Sequence, residues 1–324
     1  MPDSPRRKIN GMYRQILLRY VFLSAALAFA CGLSAQTVID LGAGGGVRAR
    51  GADEVENTPP VWRTSADSAE WRDCMVRGFN ALSRDSLAEA EKLFRRALTL
   101  FPDAQSAVVV QHNLGRISMA RGDYREAVKQ FSDILKLHPE RHDVRFDRAT
   151  CYLEQSNTRL ARVDIEALMT ATQCDIDRKE LLFLRAAISM KERLYKDAKT
   201  DLAEVLRLSP ENVNASLLIA IADEKDGRPQ EALDRLNVLL QAYPDEVQAL
   251  LLRADIEAGF GRFEAARIDY DTAIRLAPHQ AELYVRRASV LLRCGAKGAA
   301  RKDLDEAVRR GIPRATLRSL YEEL

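Results

Sequence analysis

The sequence is poor in residues that interrupt regular structure. Its 324 residues include only 16 glycines and 11 prolines, and aromatics make up 6%. That composition excludes a collagen-like or wholly disordered chain. Long apolar runs are also missing. The most apolar stretch, Tyr20 to Gly32, falls short of the roughly 20 residues that span a hydrocarbon core, which excludes a multi-span membrane protein. There is little excess charge: 49 basic against 47 acidic residues gives +2. The first 35 residues hold Arg6, Arg7, Lys8, Arg14 and Arg19 against Asp3, so the remainder carries 44 basic and 46 acidic residues, a net of −2. A near-neutral chain argues against nucleic acid as the main partner and offers no polybasic patch for anionic lipid. No Cys-x-x-Cys pair occurs, and no nucleophile-elbow sequence brings Ser, His and Asp together. No enzyme and no cofactor is therefore expected. Apolar residues (47%) and charged residues (30%) are plentiful, and the chain is long enough for one or two domains with a sizeable core.

The N-terminus reads as an address. A basic stretch precedes the short apolar run, and small residues follow at Leu33-Ser34-Ala35. This is the layout of a secretory signal peptide over residues 1–35, cleaved after Ala35. Met12 is an alternative start. Two alternatives stay open: lipid attachment at Cys31, after Ala28-Phe29-Ala30, and an uncleaved anchor. Export would place the mature protein in the periplasm or envelope of a bacterium, with no span left after cleavage. Residues 36–70 hold Gly42 to Gly46, Gly51, Pro59 and Pro60 without a helical period, and are expected to be a flexible linker. Val38 to Gly46 resembles the first motif of methyltransferases that bind S-adenosylmethionine. No further strands follow to build the parallel sheet such a site needs, so the linker reading is preferred.

From Trp71 onward a period of 34 residues appears. Pro210, Pro244 and Pro278 are 34 apart, and an alanine lies 12 before each: Ala198, Ala232 and Ala266. Pro102 and Pro139 repeat the offset with Ala90 and Ala127. Eight before the prolines come Phe94, Phe131, Leu202, Leu236 and Tyr270. Glycines recur 17 before, at Gly122, Gly227, Gly261 and, by extrapolation, Gly295. Gly suits a turn just past a helix end, and Pro suits an exit that cannot continue a helix. The unit is a helix, a tight turn, a second helix and a loop. Seven units begin at Trp71, Val108, His142, Lys179, Val213, Val247 and Ala281. Three extra residues precede Val108 and Lys179. Gln173 stands where the third unit should have its proline, which predicts a looser exit. Residues 315–324 place Leu317, Leu320, Tyr321 and Leu324 on one helical face, as a capping helix would.

This pattern resembles the tetratricopeptide repeat family over about three quarters of the chain. The eighth place holds Gly78, Gly115, Ala149, Ala186, Ala220, Ala254 and Ala288. The twentieth is Ala throughout: Ala90, Ala127, Ala161, Ala198, Ala232, Ala266 and Ala300. The fourth place departs from the family's frequent Trp, holding Cys74, Gln111, Arg145, Leu182, Ser216, Leu250 and Tyr284. The resemblance implies an all-α fold, a right-handed α-α superhelix whose first helices line a concave groove through places 2, 5, 9, 12 and 13. Such proteins bind protein or peptide segments and do no chemistry.

Groove candidates are Met75, Phe79, Leu82, His112, Met119, Phe146, Leu153, Phe183 and Met190, an apolar stripe suited to an adaptable partner contact. Packing between adjacent units is the equal alternative. Place 5 never holds Lys, so the family's clamp for chaperone C-termini is not matched. Arg recurs at place 7 and Asp at place 23, predicting ion pairs Arg148–Asp164, Arg185–Asp201, Arg253–Asp269 and Arg287–Asp303. An Arg row holding an anion is the alternative. Arg77 faces Leu93 at the matching place and has no such partner. Cys74, Cys151, Cys174 and Cys294 are expected as free, mostly buried thiols. His138 and His142 flank Glu140, but without a third ligand they are expected to be loop residues, with no metal. The function expected is an exported scaffold in an envelope or secretion assembly. A lipid-anchored scaffold and a self-associating solenoid are the alternatives.

Overall fold

The computed structural model describes residues 65–101, 107–172 and 174–324. Every regular element among them is helical, and no strand occurs among the described residues. The chain falls into two compact units, one ending at Asp177 and one spanning Arg178–Leu324.

The first unit contains α1 (Ser65–Ser83), α2 (Leu87–Leu100), α3 (Ala107–Ala120), α4 (Tyr124–Leu137), α5 (His142–Glu154) and α6 (Thr158–Thr170). The second contains α7 (Arg178–Lys191), α8 (Tyr195–Leu208), α9 (Val213–Lys225), α10 (Pro229–Ala242), α11 (Val247–Gly259), α12 (Phe263–Leu276), α13 (Ala281–Arg293) and α14 (Lys297–Arg309). Within each unit consecutive helices pair into hairpins, and each hairpin packs on the next. First helices also touch across hairpins, α3 with α5 and α9 with α11. Contacts that reach only neighbours are the mark of a repeat stack.

The hairpins close because small residues meet large ones at fixed places. All seven alanines of the twentieth place have no exposed surface. At the eighth place, glycine occurs in the two hairpins whose twenty-fourth residue is Phe. A Cβ on Gly78 would lie 2.6 Å from the Phe94 ring, and one on Gly115 would lie 2.3 Å from the Phe131 ring. Where alanine takes the eighth place, the opposing residue is Ile165, Leu202, Leu236, Tyr270 or Leu304.

The turns share one feature. The fifteenth residue of every hairpin has positive φ: Gly122, Gly227, Gly261 and Gly295, but also Asp85, Ser156 and Arg193. The backbone there enters the left-handed region that closes a helix end. Sequence identity marks it only where glycine is present.

Two boundaries differ from expectation. α1 begins at Ser65, so the last six residues of the expected linker 36–70 are helical. Trp71 is the first buried apolar side chain recorded, and the repeat register starts with it. The signal segment 1–35, with Met12 and Cys31, lies outside the described residues, as does the linker before Ser65. The expected capping helix is a 3-10 turn, Arg314–Leu317, followed by a short α15, Arg318–Glu322. Leu317 is buried with Tyr284, Leu291 and Leu304, and Leu320, Tyr321 and Leu324 pack against them.

Gly115→Ala should destabilise the protein by about 1–3 kcal/mol through overpacking. Paired with Phe131→Leu, its added effect should shrink, because the smaller side chain vacates the space. Urea denaturation of the single and double variants checks this, and strict additivity would refute the close-contact account.

Candidate protein-interaction face

The first helices supply the face on which groove candidates were expected. Six of the nine are buried: Leu153 fully, Met75 and Phe183 at 2% exposure, Met190 at 5%, His112 at 7% and Met119 at 8%. These side chains are turned into the protein, Met75 and Met119 among the hydrophobic clusters of the first unit. The packing alternative describes them, and they offer no open contact surface. Phe79, Leu82 and Phe146 are half-buried. Phe79 meets Phe94 edge-to-face at 5.3 Å. In the same unit Val109 is 37% exposed on α3. The groove candidates that stay accessible therefore lie on α1 and α5, with Val109 between them on α3.

Charged groups knit the hairpins beneath it. Arg148 donates Nε and Nη2 to Asp164 at 2.8 and 2.7 Å, and Arg185 does the same to Asp201 at 2.8 and 2.6 Å. Arg253 contacts Asp269 at 2.8 and 2.7 Å, and Arg287 contacts Asp303 at 2.7 and 2.6 Å. Three of these arginines use Nη1 on the preceding hairpin as well: Arg148 on Ser132 Oγ at 3.1 Å, Arg253 on Asn237 Oδ1 at 2.9 Å and Arg287 on Asp271 Oδ1 at 2.8 Å. Each guanidinium thus ties three helices. With Nε and Nη2 of all four arginines held by aspartates, this row reads as a fastening rather than an anion site. Arg77 instead donates to Asp73, one turn earlier on the solvent side of α1, at 3.1 Å.

The structure also shows clusters that spacing within one repeat did not reveal. His112 on α3 places Nε2 2.8 Å from Asp147 Oδ2 and Nδ1 3.3 Å from Asp143 Oδ2, both on α5. Arg116 Nε lies 3.4 Å from Asp147 Oδ2, and Arg141 grips Asp143 at 2.9 and 2.6 Å. Burial alone would lower the imidazole pKa, but hydrogen bonds to Asp143 and Asp147 outweigh it and the pKa is raised. Burial would raise the Asp143 carboxyl; hydrogen bonds from His112 and Arg141 instead hold it well below the carboxylate range. In the second unit Asp255 on α11 accepts from Tyr270 on α12 and Arg286 on α13. Buried Asp223 is met by Lys199 at 2.9 Å, with Arg235 at 3.6 Å and Arg228 at 3.8 Å.

The cysteines are all free among the described residues; Cys74 and Cys151 are buried, Cys174 is half-buried and Cys294 is exposed. Burial raises the Cys74 and Cys151 thiols above their ordinary value, making both poor nucleophiles. His138 lies beside Glu140 at 3.4 Å. His142 does not join it but meets Asp175 Oδ1 at 3.4 Å, with Cys174 close by.

Stacked helical hairpins of this length, joined through small residues at fixed places, define an α-α superhelix repeat protein. Family models agree: one tetratricopeptide repeat model matches residues 189–256 and another matches 112–170 and 251–315, together more than half of the sequence. The chain belongs to the tetratricopeptide repeat family. That family is one of protein-interaction scaffolds, generally without enzymatic activity. No curated protein matches the chain. Among solved structures, a tetratricopeptide repeat protein from Parabacteroides merdae is 22% identical with a TM-score of 0.64, over 79% of this chain and 98% of its own. PilW, a widely conserved type IV pilus biogenesis factor, is 19% identical with a TM-score of 0.53, over 63% and 93%. The C-terminal part of a repeat protein from Cytophaga hutchinsonii is 14% identical with a TM-score of 0.51, over 61% and 78%. At these identities the likeness is one of fold. No helix among the described residues is long and apolar enough to cross a membrane.

A raised imidazole pKa means that the folded protein holds the His112 proton more tightly than the unfolded chain does. The stabilisation is complete below the unfolded value of about 6.5 and is lost as pH climbs through the folded value. Urea midpoints of the wild type should therefore fall as pH rises above about 6.5, and His112→Gln should flatten that fall. Equal pH dependence in both proteins would contradict the charged cluster.

Proposed function

We propose that this protein is an exported scaffold of seven tetratricopeptide repeats. It holds a protein or peptide segment against the first helices of its first unit, within a cell-envelope or secretion assembly. The observation that supports the binding face is that the groove residues Phe79, Leu82 and Phe146 stay half-open, with Val109 exposed on α3 of the same unit. Aromatic and aliphatic side chains left half-open beside a rigid core suit an apolar segment of a partner. Asp143 and Arg116 border this face and would orient the polar parts of such a segment.

The export reading rests on the basic and apolar N-terminal pattern of residues 1–35. PilW belongs to pilus assembly, which accords with an envelope role. A lipid anchor at Cys31 and self-association are the competing forms of the same scaffold. The mass of the mature N-terminus separates them: a start at Gln36 supports cleavage, and an acylated Cys31 supports the anchor. Light scattering reports self-association.

The double change Phe79→Asp, Phe146→Asp should abolish partner recovery in crosslinking pulldowns from the native envelope, with helicity by circular dichroism unchanged. Undiminished recovery by a folded double variant overturns the binding face.

A further inference from the structure

We propose a metal site where His142, Cys174 and Asp175 meet, suited to a divalent transition ion of zinc type. The ligand atoms of the three residues, one nitrogen, one sulfur and one oxygen, lie within 4.8 Å of one another. His142 Nδ1 and Asp175 Oδ1 are 3.4 Å apart. Two ligands at about 2.0–2.1 Å from a tetrahedral ion are separated by roughly this distance. The donor types fit too. Zinc takes thiolate, imidazole and carboxylate together, whereas calcium and magnesium prefer oxygen alone.

The position in the fold argues for a built site. His142 opens α5, and Cys174 and Asp175 follow α6 in the exit of the third hairpin. That exit departs from the repeat. It has Gln173 in the proline place, and three additional residues precede Lys179. The departure brings a thiol and a carboxylate, adjacent in sequence, back to the first turn of the same hairpin. Cys174 is half-buried and unbridged, so its sulfur is free to ligate. Arg141 is near enough for Asp175 to stabilise its charge, but its guanidinium is held by Asp143.

Binding converts the Cys174 thiol to a thiolate and releases its proton to solvent, while His142 ligates as the neutral imidazole. Three protein ligands leave a fourth position for water. The ion would fasten the irregular exit to the start of α5, closing by coordination a hairpin whose exit has Gln173 in the proline place.

Cobalt(II) titration of the untagged, reduced full chain tests the site. One ion per chain should bind with a near-ultraviolet thiolate charge-transfer band and an intense tetrahedral ligand-field band, and zinc should displace it. Cys174→Ser should remove the charge-transfer band. His142→Ala and Asp175→Asn should each weaken cobalt binding at least about tenfold, whereas Cys294→Ser should change nothing. Independently of any variant, zinc should slow alkylation of Cys174 relative to Cys294 in the wild-type chain. A wild type without the charge-transfer band, a band that survives Cys174→Ser, or Cys174 alkylation indifferent to zinc would each overturn the assignment.

Discussion

The whole architecture depends on how near two helices of one hairpin can come. Alanine at the twentieth place, with glycine or alanine at the eighth, removes the side-chain bulk that would hold them apart. Close approach buries a large residue at the twenty-fourth place in every hairpin: Phe94, Phe131, Ile165, Leu202, Leu236, Tyr270 and Leu304. In the first two hairpins glycine gives the Phe ring the room it occupies, whereas Tyr270 is buried opposite Ala254, so size alone does not set the choice. Apolar burial of this kind contributes about 1.5–3 kcal/mol per large side chain and supplies most of the driving force. Because it is non-directional, it does not by itself fix how one hairpin slides on another.

Direction comes from the polar groups set between the helices. Arg148, Arg253 and Arg287 each engage an Asp in their own hairpin and an acceptor in the preceding one. Removing both ions from water offsets much of their attraction, so such pairs add less net stability than their geometry suggests. A planar guanidinium that must satisfy two fixed acceptors tolerates little sliding. His112, between Asp143 and Asp147, plays a similar part between α3 and α5 with a group that titrates.

Features confined to one repeat were legible in the sequence. The 34-residue period, the alanine places and the helix starts at His142, Val213, Val247 and Ala281 follow from local spacing. Arg and Asp sixteen residues apart sit at the separation that places them across a hairpin. Features built between repeats were not legible. His112 and its carboxylates are 31 and 35 residues apart, and only the stacking offset of two hairpins joins them. The apolar stripe misled for a different reason: an apolar residue at place 5 or 12 can face a partner or a neighbouring helix, and composition is the same in both cases. His142 was read against His138, four residues away, because nothing local points to an exit loop more than thirty residues further on. The turns at Asp85, Ser156 and Arg193 hide their left-handed backbone behind ordinary side chains.

Those three turns make the chain uneven in how readily it rebuilds itself. An L-residue in the left-handed region costs about 1 kcal/mol, a burden that glycine escapes. The burdened turns belong to the first, third and fourth hairpins, while the last three all turn on glycine. A chain recovering from an extended state would find its easiest nucleus near the C-terminus, with order spreading back toward the N-terminal hairpins.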